Sequence, residues 1–445
     1  MPSQGTIGDR VRGLRLSRRM SQAQLAGPDL SDSYVSLIES GKRTPTPVVA
    51  RLLAERLGCT TEFLLHGIEP RQRIDTELGL RHAELELNHG DPALAAERFG
   101  DIVRAAGEDN ALLAAHARFG RARALEAQGK IGSAVEAYER LRREAAAHPE
   151  RLADLPLTVA LCRCYQRAGD VLRARDLGTQ ALEHVTRLPL MHGDVAVELA
   201  AALAEAEIGL SYVEDVLDST GVPVPEDRTT EILSLWQASV SAAEGEDSAL
   251  AVRFADDALA AGRPARIATR MAQLAMRWAE LSAARGNVAA EEFDRLVSGA
   301  SEVFSVLPSA AAEHGRSLIV LARVRLRSGD HLDASHLAGR ALELLAGGPV
   351  AVAASAHLVQ AESALARSDG DPAFSLRQAV TLLDAAPATG TVRDREIARV
   401  WRELGDLWGR AGHRDQQARA YRRALEAVGV RSTVAGVVTS AVFAR

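Results

Sequence analysis

The sequence predicts an all-α protein, with a small basic helical head followed by a long array of helical hairpins, and three observations carry that reading. Of 445 residues, 47% are hydrophobic but only 4% are aromatic, a composition that favours helices packed through small side chains over a β-rich fold. The net charge of -6 is unevenly divided: residues 1–75 carry 11 Lys and Arg against 8 Asp and Glu, and the remainder carries 42 against 51. Apolar residues recur at helical spacing, and from about Glu77 onward that spacing itself returns in self-similar units. The chain is long enough for more than one core. Its domains read as 1–70 for the head, 76–430 for the hairpins and 431–445 for a C-terminal tail.

In the head, Ile7, Val11 and Leu14 give a first helix its buried face before Met20, with Arg10, Arg12, Arg15, Arg18 and Arg19 expected on the outer face. By charge alone such a run is more often a solvated helix face than a phosphate contact. Ser21 and Gln24 have the spacing of a capping box and open a second helix that buries Leu25 and Ala26; Gly27-Pro28 ends it. Ser31 caps a third helix from about Asp32 to Ser40, with Val35 and Ile38 inward, and Gly41 stops it by accepting a left-handed conformation. Pro45-Thr46-Pro47 begins a fourth helix through Leu52, Leu53 and Leu57, and Thr60 or Thr61 caps a short fifth containing Phe63 and Leu64.

Three segments carry a resemblance: Ser21-Gln22-Ala23-Gln24-Leu25-Ala26, then Ser33-Tyr34-Val35-Ser36-Leu37-Ile38-Glu39-Ser40-Gly41-Lys42-Arg43, then Pro47 with Leu57-Gly58. They resemble the Xre and phage-repressor family of helix-turn-helix domains, over about one sixth of the chain. One departure is the stretch Gly27-Pro28-Asp29-Leu30, shorter than the family's usual turn and without its Gly before the third helix, which leaves the aim of that helix open. The resemblance implies double-stranded DNA as partner. The major groove admits one helix, and side chains near its N-terminus reach base edges. Here those are Asp32, Ser33, Tyr34, Ser36 and Leu37. None is a bidentate Arg, Asn or Gln, so discrimination is expected to draw also on DNA shape and on Lys42, Arg43 and the arm before Thr6. The resemblance further implies a phosphate hydrogen bond from Gln22 and an internal pair between Arg15 and Glu39. A protein-interaction module that has lost DNA binding is the alternative, and the positive local charge weighs against it.

The clearest hairpin unit is the last, with Trp401, Leu404, Gly405, Trp408, Gly412, Tyr421 and Ala424, and it resembles the tetratricopeptide pattern. Other units hold Ala122, Leu125, Gly129, Ala134, Tyr138 and Pro149; Cys162, Tyr165, Gly169, Ala174 and Ala181; and Ala322, Gly329, Ala334, Ala338 and Ala341. Weaker copies lie around Ala83 to Ile102, Trp236 to Ala258, Ala279 to Leu296 and Ala361 to Leu383. Residues 194–230 fit poorly and read as a degenerate hairpin and a loop, about nine hairpins in all. Small residues let the two helices of a hairpin approach, bulky ones fill the gap to the next, and the first helices of the stack line a concave surface. What the resemblance places on that surface is Arg123, Glu126, Arg163, Gln166, Arg167, Arg323 and Arg327. These are either solvated and paired with neighbouring glutamates or a site for an anion such as a carboxylate.

The function classes narrow accordingly. No GxxxxGK[ST], HExxH, GxSxG, paired CxxC or strand-associated GxGxxG occurs, so neither an enzyme nor a cofactor is expected. Cys59, Cys162 and Cys164 are an odd set, and the last two point to different faces of one helix, as small core residues would. No uncharged segment approaches a membrane span of about 20 residues, which predicts a cytoplasmic protein without membrane contact. A helix-turn-helix followed by tetratricopeptide repeats resembles the peptide-responsive quorum-sensing regulators of bacteria, homodimers whose repeats bind a short secreted peptide. Those sensors grip peptide backbone with side-chain amides, often Asn, whereas this chain has only Asn88, Asn110 and Asn287. A peptide, small-molecule or protein effector therefore stays open, as does a DNA-localised scaffold without a small ligand. The apolar tail, with Val434, Val437, Val438, Val442 and Phe443, is expected to cap the last hairpin or to meet a second copy.

Overall fold

The computed structural model describes residues 6–66, 70–106, 110–187, 193–285, 290–367, 371–386 and 392–428. The apolar tail residues and the arm before Thr6 lie outside them. Among the described residues the regular elements are helical, and no helix is long and apolar enough to cross a membrane.

The head consists of α1 (Ile7–Ser17), α2 (Gln22–Ala26), α3 (Asp32–Glu39), α4 (Pro47–Arg56) and α5 (Thr61–His66). Their boundaries are set by side-chain caps that satisfy first-turn N–H groups. Ser21 and Gln24 form a reciprocal capping box, Ser31 accepts from the amide of Tyr34, Thr46 from Val49, and Thr60, rather than Thr61, from Phe63. Gly27 and Gly41 end α2 and α3 at φ +57° and +70°. Val11, Leu25, Val35, Ile38, Leu53, Leu57 and Leu64 meet in one fully buried cluster. The expected outer face of arginines on α1 is only partly present. Arg15 turns inward to Glu39, Arg10 donates to the carbonyls of Leu64 and Leu65 at the end of α5, and Arg18 donates to that of Gly58. For Arg10 and Arg18 the reason lies 40 or more residues along the chain: carbonyls at helix ends without an intrahelical donor attract cations that the fold brings near. Arg12 and Arg19 remain exposed.

Seventeen helices follow among the described residues: α6 (Pro70–His89), α7 (Pro92–Ala106), α8 (Ala111–Ala127), α9 (Ile131–Ala147), α10 (Asp154–Ala168), α11 (Val171–Arg187), α12 (Asp194–Ala206), α13 (Leu210–Thr220), α14 (Thr229–Glu244), α15 (Ser248–Arg285), α16 (Ala290–Val306), α17 (Ala311–Ser328), α18 (His331–Leu344), α19 (Val350–Arg367), α20 (Pro372–Asp384), α21 (Val392–Arg410) and α22 (Arg414–Ala427). The repeat positions act as their chemistry requires. In the last hairpin Trp401, Leu404 and Trp408 are buried, and a Cβ on Gly405 would stand 2.6 Å from the Tyr421 ring, so the glycine is what lets α21 and α22 touch. Cys162 and Cys164 are buried on α10, and the Cys162 thiol donates to the carbonyl of Ala174.

Two units divide the chain, Met1–Asp154 with Arg228–Gly262, and Leu155–Asp227 with Arg263–Arg445. In the first unit the expected stacking in chain order gives way to a long-range contact. α14 and the first half of α15 close onto α6, more than 150 residues earlier, where Leu78 and Leu85 share a buried cluster with Ile232, Ala251, Ala255 and Ala258. Arg81 pairs with Asp256 at 3.0 Å, and His82 Nε2 lies 2.9 Å from Ser239 Oγ. α6 carries two apolar stripes: Leu80 and Ala83 meet Ala95 and Phe99 of α7, while Leu78 and Leu85, seven apart, need a second cover. The alanine stripe of α15 supplies it at close range. A second difference is α15 itself, a helix of 38 residues continuous through Pro264, where the sequence pattern reads as two separate copies. The poor segment 194–230 does form a hairpin, α12 and α13, joined through left-handed Glu207 and Gly209. In the second unit Val222, from the loop behind it, packs against Ala268, Phe304 and their neighbours.

Candidate nucleic-acid interface

The outward face of α3 is short and polar. Val35, Ile38 and Glu39 point into the head, which leaves Asp32, Ser33, Ser36 and Leu37 exposed in the first two turns and Tyr34 half-buried beside them. Asp32 accepts from the amide of Ser33 and keeps an acceptor for the N4 amino group of a cytosine. Ser33 and Ser36 offer hydroxyls of either sense, and Leu37 an apolar surface for a thymine methyl. Lys42 and Arg43 are tied to the end of the same helix, because both backbone amides donate to the carbonyl of Leu37, at 3.0 and 3.2 Å. The Arg43 guanidinium stacks over the Tyr34 ring at 5.4 Å. The structure thus brings seven of the eight predicted DNA contacts onto one helix and the turn that follows it.

Gln22, the eighth, begins α2 and is joined to them through Glu39. The Glu39 carboxylate accepts from Arg15 Nε at 2.6 Å, from a terminal nitrogen of Arg15 at 2.9 Å and from Gln22 Nε2 at 2.8 Å. Burial pushes the Glu39 carboxyl up, but the hydrogen bonds from Arg15 and Gln22 and the charges of Arg15 and Arg12 outweigh it and hold it below the usual carboxylate range. One carboxylate therefore fixes α1, α2 and α3 together, while the second N–H on Gln22 Nε2 is the one a phosphate could accept.

The short turn that left the aim of α3 open is held from α4, by a residue the sequence reading passed over. Arg56 donates to the carbonyls of Leu25 and Ala26 at the end of α2 and pairs with Asp29. Gly27 suits both constraints: its φ is positive, and a Cβ there would stand 2.7 Å from the Arg56 guanidinium. An Arg on α4 with an Asp two residues after the glycine was the available signal.

The predicted effector residues fall in both units. Arg123 belongs to the first unit and Arg163, Gln166, Arg167, Arg323 and Arg327 to the second. Arg163 pairs with Glu198 at 2.5 Å and Arg323 with Glu403 at 2.6 Å, each partly buried, while Arg167 and Arg327 are exposed. Gln166 Nε2 is buried without a hydrogen-bond partner among the described residues. Glu126 is buried and accepts from the Tyr138 hydroxyl at 3.1 Å, which makes it a packing residue of α8 and α9.

Residues 11–64 match the family described as Helix-turn-helix. No curated protein sequence matches the chain. Among solved structures it is similar to PlcR of Bacillus thuringiensis in complex with the peptide PapR7 and DNA, at 14% identity over 68% of this chain and 95% of that one, with a TM-score of 0.34. It is similar also to a Rap protein complexed with Competence and Sporulation Factor (14% identity, 94% and 98% covered, TM-score 0.46). The apo form of the quorum sensor NprR from B. thuringiensis is a third likeness (11% identity, 79% and 98% covered, TM-score 0.35). On its caps, its three-helix clasp and the family match, the head is a helix-turn-helix domain, followed by helical hairpins that resemble tetratricopeptide repeats.

Proposed function

We propose that the protein is a sequence-specific transcriptional regulator of the cytoplasm that inserts α3 into the major groove as a homodimer on a palindromic operator. The observation that carries this reading is the joint placement of exposed Asp32, Ser33, Ser36 and Leu37 on one clasped helix with Lys42 and Arg43 in the turn tied to its end. The side chains on α3 read base edges; Gln22, Lys42 and Arg43 hold phosphates, with Arg12 and Arg19 adding to the local positive field. The repeat domain, with the boundaries 76–430, carries the dimer contact and binds an effector that is a peptide, a small molecule or a protein. Effector binding changes operator affinity only by its differential affinity for two arrangements of the paired heads. The regulator itself catalyses no reaction.

Positioning and readout separate experimentally. Replacing Lys42 and Arg43 together with Ala weakens all DNA sequences alike and lowers the salt slope of binding by about two for each head, and so by about four for the dimer, at roughly 0.9 per lost phosphate contact. Ser33→Ala with Ser36→Ala leaves that slope unchanged and alters which operators are preferred, by about 1–3 kcal/mol at an affected base pair. Fluorescence titrations across salt, with selection from a random DNA library, read both. An unchanged salt slope in the first variant removes Lys42 and Arg43 from the phosphate contacts, and an unchanged selected motif in the second removes direct readout by the serines.

A further inference from the structure

The second unit contains a groove of about 660 Å³, lined by Arg323 but by none of the other predicted effector residues. Two ladders of ion pairs frame it. On α15, Arg263, Arg270 and Arg277 recur every seven residues and face Asp194, Glu198 and Glu205 of α12 at 3.1, 3.2 and 3.8 Å. On α17, Arg316 and Arg323, again seven apart, face Glu396 and Glu403 of α21 at 3.6 and 2.6 Å. A step of seven returns to nearly the same helix face, so the arginines of each ladder lie along one side of their helix. Between the ladders, Met276, Phe304 and Val352 give the groove an apolar lining.

The unused bonding capacity there belongs to the arginines. Arg323 donates to Glu403 at hydrogen-bond distance, whereas Arg316 stands 3.6 Å from Glu396 and Arg399 3.8 Å from Glu403, too far for one. Arg277 spreads over Glu205, Glu207 and Glu280 at 3.5 to 3.8 Å, and its Nε is buried without a hydrogen-bond partner. Each guanidinium has five N–H donors in a fork that fits a carboxylate; Arg277 gives one of its own to Glu207 and has a buried Nε without a partner, while Arg316 and Arg399, half-exposed, make only loose ion pairs within the protein. The glutamates lining the groove offset the positive charge, and a bare inorganic anion gains little by entering. Affinity has to come from an apolar body as well, and the volume lies within the ~300–1,000 Å³ of small-molecule sites.

We propose that this groove binds an organic carboxylate with an apolar body, its charged head taken by Arg277, Arg316 and Arg399 and its body laid on Met276, Phe304 and Val352. This names the chemistry of the effector and rests on the regulator reading only for any consequence at DNA. A carboxylate on Arg316 competes with Glu396, which loosens α17 from α21.

The test is calorimetric titration of the full chain, without DNA, with decanoate and 2-naphthoate and with their uncharged counterparts decanol and 2-naphthol. At least one carboxylate is expected to bind with a Kd below about 1 mM, and its uncharged counterpart about tenfold more weakly, the worth of one charge-assisted hydrogen bond. Arg316→Gln and Arg399→Gln are each expected to weaken the carboxylate by a similar factor. Arg399 is mostly exposed, so its variant keeps the test valid if Arg316→Gln folds poorly. Failure of both carboxylates to bind overturns the proposal, as does equal binding of the uncharged probes or undiminished binding by folded Arg399→Gln. A carboxylate that binds here but leaves operator affinity unchanged in a separate titration sustains the site and counts against the effector reading alone.

Discussion

Glu39→Ala is expected to destabilise the DNA-binding head by about 3–5 kcal/mol, the cost of leaving one member of a buried, hydrogen-bonded ion pair without its partner. Arg15 and Glu39 side chains are 11% and 5% exposed, and the same carboxylate also receives Gln22, so the substitution strands a guanidinium and releases α2 from α3 together. A domain of this size has total stability near the lower end of about 5–15 kcal/mol, so most of its margin goes. Hydrogen exchange of amides within residues 6–66 of the full chain reads the effect directly: protection in α1 to α3 falls by orders of magnitude while the repeats keep theirs. Unchanged protection contradicts the clasp. The pH dependence follows with a definite sign. The folded Glu39 carboxyl is held below its ordinary range, so its stabilising contribution is complete above the unfolded pKa and is lost as pH falls through the folded one.

The second large effect concerns DNA with one or two half-sites. A single head reads only a few base pairs, and once one head of a dimer is bound the second binds at an effective concentration set by the linkage between them. The full chain should therefore bind an inverted repeat about 10²–10⁴ times more tightly than the same half-site placed singly in DNA of equal length. The preferred spacing is one helical turn, roughly 34 Å, or a multiple of it. Equal affinity for both DNAs, with light scattering that shows a monomer free and bound, rules out the dimer.

The sequence was most legible where chemistry is local. Ser21 with Gln24, Ser31, Thr46, Gly27 and Gly41 each announce a helix end through short-range hydrogen bonding or backbone freedom, and α2, α3 and α4 follow from them. Gly405 and Tyr421 likewise belong to one hairpin, and their fit is a matter of adjacent turns. Long-range choices were hidden. Nothing near Leu78 and Leu85 says that their cover comes from Ala251, Ala255 and Ala258, because that decision lies in which apolar stripe finds a complementary small-residue face. The arginines of α1 were misplaced for the same reason, since Arg10 and Arg18 are drawn to carbonyls of Leu64, Leu65 and Gly58 that only the folded head brings near. The ion-pair ladder of α15 was half visible: Arg263, Arg270 and Arg277 at intervals of seven are plain in the sequence, but their partners on α12 are not.

Whether a clasped α3 reads a two-fold operator is decided by mapping the chain's binding sites across its own genome beside those of the Lys42→Ala, Arg43→Ala variant. Discrete sites that share an inverted repeat with half-sites about one helical turn or a multiple apart are expected, and their loss in the variant. Binding without a common sequence, or the same sites occupied equally by both proteins, contradicts it.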